Sequence, residues 1–477
     1  MTKTIPPNEI KVDPTSYVDP NARVFEWQDN IYRAISPEKE LFFDTLLDSE
    51  LFDELKKKNR IVNTVKTDLK LEGYAFVVKH DRIPFVSYCV EWPAIMLKEA
   101  ALLTVDLCLK LAKANLSLQD AYPWNIFFKF TQPLFIDIGS IIEAPSNLLW
   151  TPYQQFCQFF LYPLYLASSG KSKIIRSLLF DYLNGIKEED INKLLPNIYK
   201  ISHPRLFLRV ILPYWIEKLF PDAPQKIRKM LEPVTLEMIK NNKIVGMRDK
   251  FLRELMREIE GSRIPIKKSN WYKYYGDEFS YSIESDISWN QKQKIVRQVL
   301  ERIKPKTVLD VACNRGWFAL LAAARGSSVV AFDIDEDCVA QLYLDAKERG
   351  LMVLPLVMDI LNPTPSFGWN ASQFPSAIER LRCEMVFAFA IVHHLVFKQL
   401  QNFDRIASTL NSFSSKWVLV EFPCPDDEKV KSMWTDRCNW YKLDNFISAL
   451  EKQFTIENIY ESYPPTRKLL LCQKKAI

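Results

Sequence analysis

The sequence predicts an α/β protein whose C-terminal part is an open, doubly wound parallel sheet, preceded by an α+β domain. Three observations lead there. In Lys306-Thr-Val-Leu-Asp-Val-Ala-Cys-Asn-Arg-Gly-Trp-Phe318, an apolar β-branched run over 307–312 passes through a polar turn into a helical apolar pattern over 317–325. Residues 328–335 form a second apolar run ending on acids, with Asp333 standing 23 residues beyond Asp310. Runs at 351–357, 384–390 and 417–423 repeat the pattern, and most of these strands end on a polar residue at what should be the carboxyl edge, where such sheets bind ligands.

The whole chain sets bounds on this reading. At 477 residues it exceeds one ordinary core, so two or three domains are expected. With 48% hydrophobic and 13% aromatic residues it can bury real cores. The net charge of +5 comes with both signs well mixed, so charge marks no nucleic-acid footprint. Nine cysteines are scattered without a C-x-x-C pair or a His/Cys cluster, which argues against a disulfide framework or a metal site and for a reducing compartment. No apolar signal core opens the chain and no charge-free run approaches the length of a membrane span. A soluble, cytoplasmic protein without a membrane partner is expected.

Residues 1–20 are polar, proline-bearing and expected to be flexible. Residues 24–33 read as a hairpin turning at Asp29-Asn30. Ser36-Pro37-Glu38 opens a helix reaching about Lys58, with a cap and a proline at its first position. Residues 73–78 and 84–90 read as two strands around a charged turn, and 93–114 as a long amphipathic helix. Then come Leu118-Gln-Asp120-Ala-Tyr-Pro123-Trp-Asn125 and Leu134-Phe-Ile-Asp137-Ile-Gly139.

These two segments resemble the catalytic core of the protein-kinase-like fold, most closely its aminoglycoside phosphotransferase branch. Asp120, Pro123 and Asn125 match the loop H-G-D-x-x-P-x-N, and Asp137-Ile-Gly139 sits where D-F-G belongs. The resemblance implies a cleft in which Asp120 orients a hydroxyl while Asn125 and Asp137 hold magnesium against ATP. This chain departs from the pattern: Leu118 and Gln119 precede the first Asp, and no glycine occurs before Gly73. No V-A-I-K lysine is visible, and Arg33 lies at roughly its place. A degenerate lobe, kept as scaffold or binding surface over residues 21–260, stands beside a working phosphotransferase that uses Mg-ATP.

Residues 150–261 are helical in pattern, with segments at 153–168, 171–183, 188–195, 205–219 and, with breaks, 224–260. Residues 261–290 form a linker that carries the aromatic stretch Trp271-Tyr-Lys-Tyr-Tyr275 and Trp289-Asn-Gln-Lys292. These rings either cap a ligand of the following domain or pack a junction.

Residues 291–477 carry the predicted sheet, after a helix at 292–302. Asp310-Val-Ala312-Cys-Asn314-Arg-Gly316 resembles the D-x-G-x-G-x-G turn of class I S-adenosylmethionine-dependent methyltransferases, and F-A-x-x-H-H-L over 389–395 is a further likeness to that class. With a helix at 443–446 and a closing antiparallel pair at 454–460 and 468–472, the resemblance implies the Rossmann-like, seven-stranded methyltransferase sheet. Over its length the chain also resembles the two-part proteins grouped with nodulation methyltransferases. A nicotinamide-binding domain would need G-x-G-x-x-G, and Ala312, Asn314 and Gly316 have the other spacing.

The resemblance implies that S-adenosylmethionine is the cofactor. Asp310, Gly316 and the backbone of Ala312, Cys313 and Asn314 would seat its methionyl part. Asp333 with Ile334 would hold the ribose, and Asp359 with Ile360 the adenine; Ala390 ends the fourth strand beside them. His393 or His394 is the candidate base, since imidazole titrates near neutrality, unless the pair only makes helix-start hydrogen bonds. Glu421 either contacts the acceptor or terminates its strand. The acceptor is expected to be a small molecule. Three functions stand: methyl transfer with a kinase-like accessory lobe, a phosphotransferase with a regulatory S-adenosylmethionine-binding domain, and a scaffold binding both ligands without turnover.

Overall fold

The computed structural model describes residues 3–19, 21–145, 150–222, 226, 243–267, 269–273 and 282–475. The chain divides into two compact units: residues 1–83, 88–128 and 132–265, and residues 84–87, 129–131 and 266–477. Residues 224–225 and 227–242 of the expected helix at 224–260, and Tyr274 and Tyr275 of the aromatic stretch, lie outside the described residues.

In the first unit, β1 (Lys11–Val12), β2 (Ala22–Trp27), β3 (Asn30–Ile35), β4 (Thr64–Lys66) and β5 (Phe76–His80) form an antiparallel sheet ordered β1-β2-β3-β5-β4. Phe25, Trp27, Tyr32, Ala34 and Val77 bury one face of it together with Ile5 and Leu71. The β2–β3 turn falls one residue earlier than expected. Trp27 pairs with Asn30, and Gln28 and Asp29 take φ of 47° and 58°, the geometry a two-residue hairpin turn requires. Residues 84–90 do not form the expected strand. Glu91 is fully buried and its carboxylate accepts the Tyr88 N–H at 2.9 Å, which closes Cys89–Glu91 into a 3-10 turn. The partner on the far side of β5 is instead β4, which lies in a charged stretch with little strand pattern.

Helices make up much of the rest of this unit. The long one, Ala94–Lys113, packs against Lys243–Gly261. Tyr153–Ser168 runs as one helix that widens to a π-turn at Cys157–Leu161, and a second π-turn spans Phe207–Ile211. Each sits directly ahead of a proline, Pro163 and Pro213. Proline cannot donate the next helical hydrogen bond and its ring crowds the preceding turn, so the helix widens there without breaking.

The second unit is built on one seven-stranded sheet. Its strands are β6 (Thr307–Val311), β7 (Ser328–Asp333), β8 (Val353–Val357), β9 (Cys383–Ala388), β10 (Ser414–Pro423), β11 (Phe454–Glu461) and β12 (Arg467–Lys474). The order is β8-β7-β6-β9-β10-β12-β11; the first five are parallel, and β12 is antiparallel to both β10 and β11. Val308, Leu309, Val311, Val386 and Phe387 are wholly buried, as expected for strands covered on both faces. The helices Gln291–Ile303, Trp317–Ala324 and Glu336–Arg349 cover it. Trp317–Ala324 is apolar all round and almost entirely buried. Strand order reverses between β6 and β9, and at such a point the carboxyl edge opens a crevice.

Candidate functional site

The crevice begins in the turn after β6. Ala312, Asn314 and Gly316 all take left-handed backbone, with φ of 53°, 53° and 68°. At Gly316 a Cβ would come within 2.4 Å of the Leu342 side chain, which is itself fully buried, so only glycine fits. At the other two positions alanine and asparagine accept a conformation that glycine would take more cheaply. The turn is tied to the next strand: the Asn314 N–H donates to Asp333 Oδ2 at 2.8 Å and the Asp335 N–H to Asp333 Oδ1 at 2.9 Å. Asn314 also donates its side-chain amide to the Trp271 carbonyl at 2.8 Å.

Above this turn lies a cavity of about 200 Å³. Of the residues singled out in the sequence, Asp310, Ala312, Cys313, Asn314, Asp333, Ile334, Asp359, Ile360, Ala390 and His394 line it. Gly316 shapes the turn from outside the lining, and His393 and Glu421 are not on the wall. Asp310, Asp333 and Asp359 come from or follow the ends of three neighbouring strands, which spreads carboxylates along one edge.

Their environments differ. Asp310 is buried and its Oδ2 has no hydrogen-bond partner among the described residues. Burial pushes its pKa up to about 8, partly opposed by the positive charge of Lys292. Burial also lifts Asp333, to about 6, against the pull of its backbone N–H partners. Asp359 is exposed and accepts the Leu361 N–H at 2.9 Å. A ligand ammonium meeting Asp310 would favour its ionised form. Binding of a ligand that carries an ammonium should therefore release a proton below about pH 8, and affinity should fall as pH drops below that free-state value. Calorimetry in buffers of differing ionisation heat measures this release; Asp310→Asn should abolish it, and an unchanged release in that variant would remove Asp310 from the site.

The histidines separate. His394 lines the cavity, with the Trp271 ring edge-on at 5.5 Å. Burial and the nearby Lys398 hold its pKa down to about 4, so it is neutral at ordinary pH and does not titrate near neutrality as the sequence suggested. His393 is fully buried beneath it, ring centroids 4.2 Å apart. Both its ring nitrogens lack a hydrogen-bond partner among the described residues, so the expected helix-start bond is not formed.

Glu421 corrects a second expectation. It is fully buried and occupied: Oε2 accepts from Lys292 Nζ and from the Ala390 N–H, both at 2.9 Å, and Oε1 accepts from Ser462 at 2.8 Å. It reaches no acceptor. Through Ala390, whose φ is 51°, it fixes the backbone where β9 leaves the sheet. Lys292 is the residue sequence reasoning missed, and a signal for it existed: with Ile295, Val296 and Val299 it completes an i, i+3, i+4, i+7 stripe, a lysine on the buried face.

In the first unit, Asp120 and Asp137 lie close enough that the charge of Asp137, after burial, raises the pKa of Asp120. Asp137 is not open, however. Arg33 donates to its Oδ1 at 2.7 Å and to Asp19 at 3.3 Å, and the Gly139 N–H donates to the same Oδ1 at 3.2 Å. A Cβ at Gly139 would lie 2.2 Å from the Arg33 guanidinium, so the glycine is what lets that guanidinium in. Asn125 follows in a 3-10 turn, Pro123–Asn125. No group of His, Cys, Asp and Glu able to hold a metal occurs among the described residues.

No protein-family model matches the chain. It is 27% identical over 452 residues to nodulation protein NoeA of Rhizobium meliloti (strain 1021), covering 93% of this chain and 92% of that protein. Among solved structures it is similar to magnesium protoporphyrin IX methyltransferase (ChlM) from Synechocystis PCC 6803 with bound SAH, at 16% identity and TM-score 0.31, over 43% of this chain and 93% of that one. It is also similar to the bifunctional kinase-methyltransferase WbdD, at 15% identity and TM-score 0.30, over 40% of each chain.

Proposed function

We propose that this protein transfers the methyl group of S-adenosylmethionine to a small-molecule acceptor. The observation that carries the reading is the edge of the second unit's sheet. Three carboxylates, from three neighbouring strand ends, face one cavity above a turn held in left-handed backbone. The donor set suits the ligand: Asp333 for a diol, Asp359 for an exocyclic amine, and the partnerless Asp310 oxygen for an ammonium.

When bound, the cofactor supplies a methyl group on a sulfonium, already activated for in-line displacement. The chain's part is alignment and dryness. Phe318, Phe332 and Phe389 wall the cavity and exclude water, while Ala390, fixed by Glu421, sets the wall beside His394. A neutral ring nitrogen of His394 can take a proton from an acceptor that carries one. Incubation with methyl-labelled S-adenosylmethionine and a small-molecule extract should place label in a low-molecular-weight product. Label confined to protein or nucleic acid would refute the acceptor class, and binding without any transfer would leave only the scaffold function.

For residues 21–260 we propose a degenerate kinase-like lobe. Its order of hairpin, helix, strand and long helix, and the electrostatic coupling of Asp120 to Asp137, support this reading. The alternative of a phosphotransferase with a regulatory methyl-donor domain meets an obstacle: the Arg33 guanidinium is paired with Asp137 through its Oδ1, placing a positive charge where a magnesium ion would have to bind. Magnesium-dependent ATP turnover should therefore be absent; robust turnover would restore the alternative. None of the nine cysteines is in a disulfide, and no described helix is long and apolar enough to cross a membrane.

A further inference from the structure

We propose that Lys292 is the cavity's carboxylate-recognition residue, taking the carboxylate of an amino-acid ligand end whose ammonium faces Asp310. The inference rests on the S-adenosylmethionine reading and adds to it a residue from outside the strand ends.

Lys292 is buried at the start of helix Gln291–Ile303, and it lines the cavity. Its ammonium carries three donors, and one is used, on Glu421 Oε2 at 2.9 Å. The remaining donors lie over apolar surface, with the Phe389 ring centroid at 4.7 Å and that of Phe318 at 5.0 Å, both rings being cavity walls. Unspent donors on a buried cation are costly unless a partner arrives. Glu421 has partners besides Lys292: Arg467, itself paired with Asp427 at 2.8 Å, stands 3.6 Å from Oε2, the Ala390 N–H donates to the same oxygen, and Ser462 donates to Oε1.

The acceptor side of the pair is Asp310. Its Oδ2 is buried, partnerless and on the same wall, and the two groups feel each other's charge without a hydrogen bond between them. A buried donor and a buried acceptor, each unfilled and side by side, match a zwitterion. The position along the sheet agrees. Asp333 ends β7 and Asp359 follows β8, so a ligand with its ribose at β7 must send its other end toward β6 and β9. Asp310 lies one residue before the end of β6, and the Glu421 that holds Lys292 also holds Ala390 after β9.

The test compares two probes in calorimetric titrations of the full chain: S-adenosylhomocysteine, which has the amino-acid end, and 5′-methylthioadenosine, which lacks it. Lys292→Met should weaken the first about 10–100-fold, a charged hydrogen bond's worth, and leave the second within about 2-fold. Lys292→Arg should recover part of the loss. If Lys292→Met disturbs folding, Lys292→Met/Glu421→Gln removes both charges while keeping an acceptor for the Ala390 N–H, and the same selective loss is expected. Equal weakening of both probes, or unchanged affinity for S-adenosylhomocysteine, overturns the assignment. If the unaltered protein binds neither probe, the S-adenosylmethionine reading itself falls.

Discussion

On the proposed function, replacing His394 by Gln should lower the rate of methyl transfer on the order of 10²–10⁴-fold for an acceptor that must lose a proton, with little change in cofactor affinity. The same change at His393 leaves the rate alone and acts on stability, because His393 is buried off the cavity wall with both nitrogens unpartnered. The pH profile separates the two roles further. With its pKa held down to about 4, His394 is already in its basic form at pH 6–8, so the rate at saturating cofactor should be flat there and fall only toward pH 4. A limb near the ordinary imidazole value of about 6.5 would point to another base. Stability carries the opposite signature. Unfolded histidines take up protons near pH 6.5, whereas buried His393 and His394 do so only near 3 and 4. Taken alone, the histidines cost the second unit stability as pH falls from about 6.5 toward 4. Asp310 and Asp333, raised to about 8 and about 6, take up protons in the folded state and oppose that loss. The signature is therefore a difference: in thermal unfolding, a folded His393→Gln variant should gain stability relative to the unaltered protein as pH falls through this range.

Asp333→Ala should weaken binding of S-adenosylmethionine by about 1.5–3 kcal/mol, roughly 10–150-fold, through loss of a charged acceptor for two hydroxyls. Part of that loss comes from the turn, since the same carboxylate receives the Asn314 and Asp335 N–H groups. Competition with adenosine and with methionine apportions it. A ribose contact weakens adenosine as much as the whole cofactor, and undiminished affinity in a folded variant would contradict the ribose assignment.

The parallel sheet was legible because its strands are short apolar runs, most of them closed by a polar residue, and burial on both faces enforces that pattern on sequence. Asp333 and Asp359 could be named because they close or follow such runs, whereas Asp310, inside its run, was named through the likeness of the Asp310–Gly316 turn to D-x-G-x-G-x-G. The histidines and Glu421 needed the third dimension. Adjacent residues on a helix point about 100° apart, so His393 and His394 had to part, one into the core and one into the cavity. Glu421 lies inside β10, and Lys292, Ser462 and Arg467 converge on it from two distant segments that no local pattern connects. Lys292 was readable only as an anomaly on an apolar stripe. In the first unit, residues 84–90 are apolar enough for a strand, but a buried Glu91 decided otherwise.

The central claim is that the carboxyl edge of the second unit's sheet binds S-adenosylmethionine. Its most direct test is calorimetric titration of the full chain with S-adenosylhomocysteine, beside Gly316→Val, whose side chain would collide with Leu342 in a backbone region that valine rarely adopts. Saturable binding at one site per chain, lost in the variant while the first unit's unfolding is unchanged, is the predicted result. No binding to the unaltered protein, or equal binding to the variant, would contradict it.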